Sequence, residues 1–276
     1  MSSGSKIEWT ETTWNPTTGC DRISPGCDNC YALTLAKRLK AIGSSKYQLD
    51  GDPRTSGPGF GVMFHPETLI EPLRWRKPRR VFVNSMSDLA HARVSNEAIA
   101  QVFAVMGAAS QHEFQVLTKR PRRLARLLAA ERFHELVRAA RLDVPSVAGK
   151  RVPSWPLPNV WLGTSIESDE YCWRADELRQ APAAIRFLSL EPLLGPLPSL
   201  ELTGIDWVII GGESGPHARK LDLDWVRELR DRCVALQIPL FFKQVGGLTP
   251  KAGGRQLDGR TWDEFPVASD SIARGA

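Results

Sequence analysis

Short apolar runs alternate along this chain with longer segments whose apolar residues recur at helical spacing. Apolar runs of roughly four to six residues predict strands that are buried on both faces, as in a parallel sheet. Strands are predicted at residues 6–11, 81–86, 114–118, 160–165, 185–190, 207–210 and 239–243. Helices are predicted at residues 31–42, 65–74, 95–109, 121–140, 169–180 and 222–236. The chain therefore repeats a strand followed by a helix.

This repetition predicts an α/β fold, a full or partial (β/α) TIM-like barrel with parallel strands. A doubly wound open sheet is the alternative. With 276 residues, 42% of them hydrophobic, the chain can bury a substantial core, and we expect a single domain over residues 1–276. Residues 43–65 are rich in Gly, Ser, Asp and Pro, which predicts a loop-rich insertion or a mobile flap. A C-terminal tail is expected from about residue 246.

Three of the five cysteines, Cys20, Cys27 and Cys30, follow the first predicted strand within one short segment, residues 14–32. Their spacing is C-x6-C-x2-C, and the residues between them are mostly turn formers, so the loop can wrap three thiolates around one point. Three thiolates with an open fourth position suit a [4Fe–4S] cluster. A structural zinc site normally takes four ligands. Zinc and a metal-free loop of reactive thiols are the two alternatives.

Polar and titratable residues gather where the later predicted strands end. In a parallel barrel these ends meet at one mouth, together with any loop that follows the first strand. The candidates are Asn84, Ser85, Asp88, Lys119, Thr164, Ser165, Glu191, Gly211, Gly212 and Glu213. A shared site is the economical interpretation. The alternatives are structural, because the two glutamates could cap turns, the lysine could be solvated and the glycines could permit a tight turn.

The positive charge is concentrated in two stretches, RWRKPRR at residues 74–80 and KRPRRLAR at residues 119–126. The chain has 36 basic and 31 acidic residues, and without the ten basic residues of these stretches 26 face 31. Such a local excess indicates contact with phosphates, and two solvated turns are the alternative. The second stretch leaves a strand near the expected site. Nucleic-acid contacts are therefore predicted for Lys119, Arg120, Arg122, Arg123 and Arg126.

Neither a membrane nor an oxidising compartment is indicated by the sequence. It has no run of 18 apolar residues, and its N-terminus lacks the apolar centre of a secretory signal. An odd number of cysteines, grouped as three, one and one, does not suit a disulfide framework. We therefore expect no membrane partner and a cytoplasmic location.

The cysteine loop after a first strand resembles that of the radical S-adenosylmethionine (SAM) superfamily. More closely, the chain resembles an uncharacterised phage and prophage family with a three-cysteine motif. The matching stretches include TGCDRISPGCDNCYA, RRVFVNSMSDLAH, FQVLTKRP, VWLGTSIES, RFLSLEPLLGPL and DWVIIGGESGP. The sequence departs from the usual radical SAM pattern in its six-residue first gap and in Asn29, which stands where an aromatic is usual. Its Gly-Gly-Glu also follows the sixth strand rather than the second.

The resemblance implies an iron–sulfur enzyme in which Cys20, Cys27 and Cys30 ligate a [4Fe–4S] cluster. A reductant would supply an electron, and cleaved SAM would give a radical that abstracts hydrogen from the substrate. Candidates for holding the methionyl end of SAM are Asn84, Ser85 and Asp88. Candidates for the rest of the cofactor are Thr164, Ser165, Glu191, Gly211 and Gly212. Lys119 and Glu213 are the candidate catalytic residues.

Nucleic acid is the expected substrate, with base modification or repair as the expected reaction. One alternative is a non-catalytic protein that binds nucleic acid or a partner, in which zinc or a closed cluster only holds the loop. The other alternative is a radical enzyme that acts on a protein or a small molecule, with the basic stretches incidental. Metal analysis and SAM titration separate the non-catalytic alternative from the two radical-enzyme hypotheses.

Overall fold

A computed structural model describes residues 5, 7–143, 147 and 154–266 of the chain. Within these residues seven parallel strands form one sheet: β1 (Thr12–Trp14), β2 (Arg80–Val83), β3 (Glu113–Thr118), β4 (Val160–Ser165), β5 (Ile185–Leu190), β6 (Trp207–Gly211) and β7 (Leu240–Gln244). Each strand pairs with the next one along the chain. Because the strand order never reverses, the sheet is not doubly wound. Strands β1 and β7 are its edges, so the predicted α/β fold is confirmed as a partial barrel.

Six helices accompany the strands in the described part of the chain: α1 (Tyr31–Ala41), α2 (Asn96–Ala108), α3 (Pro121–Ala129), α4 (Glu131–Asp143), α5 (Trp173–Arg179) and α6 (Leu223–Ala235). Outward-facing strand residues such as Val81 and Leu162 share the largest hydrophobic cluster with Ile99 of α2. Ser95 caps α2, and its hydroxyl accepts a hydrogen bond from the Ala98 amide at 3.1 Å. None of the helices that the structure describes is long and apolar enough to cross a membrane.

The first two strands differ from the prediction. Residues 7–11 form turns and residue 6 lies outside the described residues, so the strand expected at 6–11 is absent from the part that can be compared. Strand β1 instead begins at Thr12, because the residues that pair with β2 are Thr12–Trp14. Thr12 lies opposite Val81, and Trp14 lies opposite Val83. Strand β2 ends before residue 86, since Asn84 adopts a left-handed backbone with φ of 64°.

The helix predicted at residues 121–140 is divided at Ala130 into α3 and α4. At the break the Leu128 carbonyl lies 2.8 Å from Nε2 of His134 and accepts a hydrogen bond from the Trp155 indole at 3.2 Å. Side chains thus contact the Leu128 carbonyl in place of the backbone amide that would bind it in a continuous helix. Two other predicted helices are shorter or tighter: Pro66–Thr68 and Glu71–Arg74 are 3-10 turns, and so is Asp169–Tyr171 before α5.

The sheet is strongly curled. Trp9, just before β1, has its ring centroid 4.7 Å from that of Phe82 in β2. The same ring lies 6.4 Å from those of Phe187 in β5 and Trp207 in β6. In a flat sheet the first and sixth strands would stand five spacings apart, roughly 24 Å. The concave face therefore closes around an inner aromatic cluster, which makes the sheet a half-barrel.

Beyond this aromatic layer, towards the carboxyl ends of the strands, the inward positions carry small residues. Alternation along the strands places Gly163 and Ser165 above Trp161, and Ser189 above Phe187. A Cβ at Gly163 would lie 2.4 Å from the Phe187 ring, so only glycine fits beside it. The half-barrel is therefore filled at its floor and open at its mouth, which is the end where function was expected.

The loop-rich segment 43–65 packs against the start of the chain. Its strand Met63–Phe64 pairs antiparallel with Thr17–Thr18. Tyr47 and Phe60 are buried with Ala36 of α1 in a small cluster that Cys20 and Cys30 also contact. The segment therefore covers the cysteine loop. Of the predicted tail from about residue 246, residues 267–276 lie outside the described part.

Candidate cofactor site at the mouth of the half-barrel

The cysteine loop runs from the end of β1 to the start of α1. It contains the 3-10 turn Pro25–Cys27, and Cys30 is the residue that precedes α1. Gly19 has a φ of 85°, and a Cβ at this position would lie 2.2 Å from the Gly61 carbonyl oxygen. Only glycine permits this approach. The backbone just before Cys20 is thereby fixed against segment 43–65.

All three loop cysteines line one cavity of about 140 Å³ at the mouth. The other predicted site residues that line it are Asn84, Ser85, Asp88, Lys119, Arg120 and Ser165. The structure thus brings the cysteine loop together with the carboxyl ends of β2, β3 and β4. The predicted residues that are not among its lining residues are Thr164, Glu191, Gly211, Gly212, Glu213, Arg122, Arg123 and Arg126.

Lys119 places a positive charge beside Cys27. Its Nζ lies 3.5 Å from the Cys27 sulfur and 3.1 Å from the Ser24 hydroxyl oxygen. Burial opposes ionisation of this thiol, but the Lys119 charge and hydrogen bonds from Ile23 and Ser24 outweigh it, and the pKa of Cys27 is lowered. Because the thiolate is the form that binds metals, Cys27 is the loop cysteine best prepared for that role.

Arg120 connects Cys20 with Asp88. Its Nη1 lies 3.5 Å from the Cys20 sulfur and 2.9 Å from Oδ2 of Asp88. Burial raises the pKa of Cys20 to about 12, with the Asp88 carboxylate adding to the rise and Arg120 opposing it. Burial also raises the pKa of Cys30. Burial therefore favours the protonated form of these two thiols, and a metal would have to displace the protons in order to bind.

The Asp88 carboxylate is engaged on both oxygens. Oδ1 accepts hydrogen bonds from the Thr118 hydroxyl at 2.6 Å and the Ala90 amide at 2.9 Å. Oδ2 accepts from the Lys119 amide at 3.1 Å as well as from the Arg120 guanidinium. The geometry gives Asp88 a structural part in joining the ends of β2 and β3, and its contact with SAM stays a prediction.

Asn84 lines the cavity and carries a buried polar atom without a hydrogen-bond partner among the described residues. Its Nδ2 donates to the Thr17 hydroxyl at 2.5 Å, whereas its buried Oδ1 has no hydrogen-bond partner among the described residues. Buried amide oxygens are rarely left in this state, which makes Asn84 a candidate contact for a bound molecule. The neighbouring Ser85 exchanges hydrogen bonds with Asn15 at 3.1 and 3.2 Å, so its hydroxyl is already paired.

Glu167 follows β4, and the sequence indicates its place at a strand end without assigning it a role in the site. Its side chain is 0% exposed. Oε1 accepts from the Gly26 amide at 3.4 Å and lies 3.5 Å from Nζ of Lys119. Oε2 accepts from Nη1 of Arg174 at 3.0 Å. Glu167 therefore holds both the backbone of the cysteine loop and the cation beside Cys27. Its only sequence signal is its place just after a strand.

Glu213, beyond β6, fastens the cysteine loop to the opposite side of the mouth. The Arg219 guanidinium donates to the two Glu213 oxygens at 2.6 and 2.9 Å, and to the Pro25 carbonyl at 2.9 Å. Asn29 also donates to Glu213, at 3.0 Å. Burial opposes ionisation of Glu213, but these donors lower its pKa. We call Glu213, Arg219 and Asn29 the clasp. A catalytic role of Glu213 stays a prediction.

Three other candidates have protein partners outside the cavity. Thr164 donates its hydroxyl hydrogen to a backbone carbonyl of β3 at 2.8 Å. Glu191 forms an ion pair with Lys243. A Cβ at Gly212 would lie 1.9 Å from the Val245 carbonyl oxygen, so this glycine allows the ends of β6 and β7 to approach each other. The geometry therefore favours structural roles here, and contacts with a cofactor stay predictions.

The second basic stretch divides between the site and the surface. Lys119 and Arg120 line the cavity. Arg123 is half-buried and donates to the backbone carbonyls of residues 91 and 94, so it joins α3 to the segment before α2. Arg122 and Arg126 are exposed and lie one helical turn apart on α3. These two are the residues of the stretch that offer charge to solvent beside the mouth.

Asp21 fastens the loop to its surroundings next to Cys20. Its Oδ1 accepts from the Thr55 hydroxyl at 2.6 Å, and its Oδ2 lies 2.9 Å from both Nε2 of His91 and Nη2 of Arg93. Segment 43–65 is thereby hydrogen-bonded to the cysteine loop. A single histidine in a polar loop is a weak functional signal in a sequence. In the structure, His91 contacts the Asp21 carboxylate and so helps to fix the loop next to Cys20.

The cysteine thiols are free and stand around the cavity. No three His, Cys, Asp or Glu side chains of the described residues lie close enough together to hold a single metal ion. Zinc binds thiolates at about 2.3 Å from one point. A [4Fe–4S] cluster takes each thiolate on a different iron and so needs ligands around a volume. Here three free thiols line one cavity, with Lys119 and Arg120 beside two of them.

The fold and the site together define an α/β half-barrel protein with a three-cysteine loop at its mouth. The chain belongs to the family described as protein of unknown function (DUF5131), whose model matches residues 4–266. The expected resemblance to an uncharacterised family is thus confirmed, and the phage or prophage link stays a prediction. No curated protein matches the chain.

Solved structures of spore photoproduct lyase are similar to this chain at low identity. A cysteine-to-serine mutant is 13% identical with a TM-score of 0.44, and the match covers 76% of this chain and 58% of that one. The lyase complexed with dinucleoside spore photoproduct is 12% identical with a TM-score of 0.42, covering 84% and 63%. A double mutant with bound AdoMet and the same dinucleoside is 12% identical with a TM-score of 0.41, covering 84% and 63%. The chain spans less than two thirds of the length of each.

Proposed function

We propose that this protein is an iron–sulfur enzyme of the radical SAM type that acts on nucleic acid. The observation that carries the proposal is the cavity at the mouth, where three free thiols of one loop meet the carboxyl ends of three strands. The resemblance of this loop to that of radical SAM proteins supports the same conclusion. When bound, a [4Fe–4S] cluster would supply an electron and an open iron position for SAM.

The residues around the cavity would hold this cofactor through charge and position. Cys20, Cys27 and Cys30 are the ligands in this proposal. Lys119 keeps a positive charge 3.5 Å from the Cys27 sulfur, which favours its thiolate. Arg120 keeps one 3.5 Å from the Cys20 sulfur, where it opposes the effect of burial. Because Lys119 also faces the cavity, it is the residue that we propose to reach the substrate. Glu213 would act on the site through the loop that it fastens.

Asn84 is the group best prepared to bind the amino group of SAM. Its Oδ1 is a buried acceptor without a partner among the described residues, and an ammonium group would supply the missing donor. Ser165 lines the same cavity from β4 and is the proposed contact for the nucleoside part of SAM. Asp88 and Ser85 would keep the end of β2 in place through the hydrogen bonds described above.

Nucleic acid is the proposed substrate because exposed basic side chains lie beside the mouth. Helix α3 begins just after the carboxyl end of β3, and it carries the exposed Arg122 and Arg126. Guanidinium groups bind phosphate oxygens strongly and with defined geometry. A chain of nucleotides held there would lie next to the cavity.

Anaerobic reconstitution with metal analysis and SAM titration tests the cofactor. The wild-type chain should take up about four iron atoms, show a broad visible absorption band and bind SAM. Cys27→Ala should lose most of this iron. Cys233→Ala, at a buried cysteine of α6 away from the loop, is the matched control and should keep it.

Full iron content with an unchanged absorption band in Cys27→Ala would overturn the proposal. Stoichiometric zinc with no SAM binding in the wild-type chain would overturn it too, in favour of a metal that only holds the loop. For SAM, Asn84→Ala should weaken binding while the iron content stays at the wild-type value, because the asparagine is not among the proposed iron ligands.

A further inference from the structure

Trp173 is a large aromatic residue exposed at the mouth end of the half-barrel. It is the first residue of α5, and 43% of its surface is accessible. Helix α5 follows β4, so its first turn lies at the same end of the sheet as the cysteine loop. An exposed tryptophan beside a candidate site indicates a contact surface for another molecule.

Guanidinium groups and aromatic rings alternate at this point. The Arg122 guanidinium carbon lies 5.5 Å from the centroid of the Trp173 ring, and that of Arg174 lies 5.8 Å from it. Arg174 also lies 4.2 Å from the Tyr171 ring centroid. Such cation–π pairs hold the indole in one orientation. The accessible part of Trp173 is therefore held in a defined position.

This aromatic surface is connected to the cysteine loop by direct contacts. Arg174 donates to Glu167 at 3.0 Å, and Glu167 accepts from the Gly26 amide at 3.4 Å. Gly26 directly precedes Cys27. A molecule bound at Trp173 would therefore lie close to Arg174 and Glu167, which also position the cysteine loop.

The charge of the surface suits a phosphate backbone. Arg122 is 57% exposed, and Arg126 is exposed one turn further along α3. Glu177 accepts a hydrogen bond from Nε of Arg122 at 2.7 Å, which uses one of the five N–H donors of the guanidinium. Tryptophan beside arginine offers both a stacking face for a base and donors for a phosphate, the combination that single-stranded nucleic acids require.

We propose that Trp173 and Arg122 form a stacking site for an unpaired nucleobase of a nucleic-acid strand, with Arg122 and Arg126 holding its phosphates. The inference rests on the proposed function, because it names how that substrate is held. The nucleotide on Trp173 is not the one that reacts. It anchors the strand so that a neighbouring nucleotide lies over the cavity.

The test is fluorescence anisotropy of a labelled single-stranded oligothymidylate with the full-length protein at several salt concentrations. Trp173→Leu should weaken binding on the order of tenfold, because it removes the aromatic face, whereas Trp173→Phe should stay within about threefold of wild type. Arg122→Ala should lower the slope of log affinity against log salt by roughly 0.7 to 1. Thermal melting of each variant confirms that it is folded.

Matched controls come from α6 and from the residue that directly follows it. Leu236→Ala removes another exposed apolar side chain, and Arg227→Ala removes another exposed, ion-paired arginine. Neither should change the affinity or the salt slope. Equal binding by wild type and Trp173→Leu would overturn this inference alone. If the wild-type protein does not bind the oligonucleotide at low salt, both this inference and the nucleic-acid part of the proposed function fail, while iron and SAM binding still report on the cofactor.

Discussion

Gly26 is the residue of the cysteine loop that approaches Lys119 and Glu167 closely. Its amide donates to Glu167, and an added Cβ would lie 2.8 Å from Nζ of Lys119 and 3.2 Å from the Glu167 carboxyl carbon. The lysine has a flexible end and can move. The glutamate is fully buried and bound to Arg174, so it cannot. A side chain at position 26 would therefore displace Lys119 from Cys27 or push the loop outwards.

Gly26→Ala should accordingly impair the cofactor site more than the fold. Crowding of one methyl group should cost about 1–3 kcal/mol of unfolding free energy. Changes in the contacts that orient metal ligands usually lower metal affinity by roughly tenfold or more. The measurements are iron retained per chain after reconstitution and the urea midpoint. Gly195→Ala, where an added Cβ meets open space, is the control. Wild-type iron retention in Gly26→Ala would contradict this view of the loop.

The cysteines could be found from the sequence because their signal is local, three thiols within one turn-rich segment. Asn84, Asp88 and Lys119 could be found because parallel strands bring their carboxyl ends to one mouth. The partners of these residues could not. The bond from Gly26 to Glu167 joins positions 141 residues apart, and no spacing rule connects them.

At the scale of elements, the clasp joins β6 to the cysteine loop, which follows β1. Glu213 is 6% exposed on its side chain and takes two hydrogen bonds from the Arg219 guanidinium. Arg219 and Asn29 in turn contact the loop or form part of it. Since β1 and β6 are not neighbours in the sheet, the clasp bridges two non-adjacent parts of the mouth.

If Glu213 works through the clasp, Glu213→Gln and Arg219→Ala should have the same effects. Each should lower iron retention, and Arg219→Ala should cost about 1–3 kcal/mol of unfolding free energy because it leaves a buried carboxylate without its main partner. The double variant should be little worse than either single one, since both remove the same interaction. Arg227→Ala, which breaks an exposed pair with Asp258, is the control. A catalytic Glu213 would behave differently, with normal iron and stability in Glu213→Gln but no turnover.

Element boundaries were predictable where the burial pattern is uniform. Strands β4 and β5 have the predicted bounds, because each is an almost continuous buried run between turn formers. Strand β1 could not be found, since its three residues include two threonines and its identity is decided by pairing with β2. The break between α3 and α4 depends on Trp155, 27 residues away from the Leu128 carbonyl that it binds.

At the scale of the whole molecule, the sequence predicted a full or partial barrel, but it did not predict how far the sheet closes. Strand order follows from the repeated units, but curvature depends on which side chains meet inside. Trp9 contacts β2, β5 and β6, and the ring of Trp161 in β4 lies 5.8 Å from that of Trp207 in β6. These contacts fill the floor, and the small residues above them leave the mouth open. The cysteine loop, segment 43–65 and the clasp then cover one part of that mouth.

Three histidines are buried in different parts of the molecule. His65, His91 and His112 are each at most 3% exposed. Burial is the main cause that lowers the pKa of each of them below its usual value of 6.5. The folded chain therefore favours neutral imidazoles. Below about pH 6.5 these histidines bind protons in the unfolded chain more readily than in the folded chain. Their contribution to the free energy of unfolding is therefore fully present above that pH and is lost as the pH decreases.

The unfolding free energy should therefore drop between pH 7.5 and 5.5, a range that lies above the usual titration of carboxylates. Each buried histidine can contribute at most about 1 kcal/mol between pH 6.5 and 5.5. His112→Gln isolates one of them, because the wild-type ring lies 3.0 Å from the Pro72 carbonyl oxygen with its Nδ1 buried and unpaired among the described residues. The variant should be less stable at pH 7.5, where ring packing is lost, yet lose less stability on acidification. Urea denaturation at the two pH values measures both effects, with His217→Gln at an exposed position as the control. An equal acid-induced loss in His112→Gln and wild type would show that this histidine is not held neutral by burial.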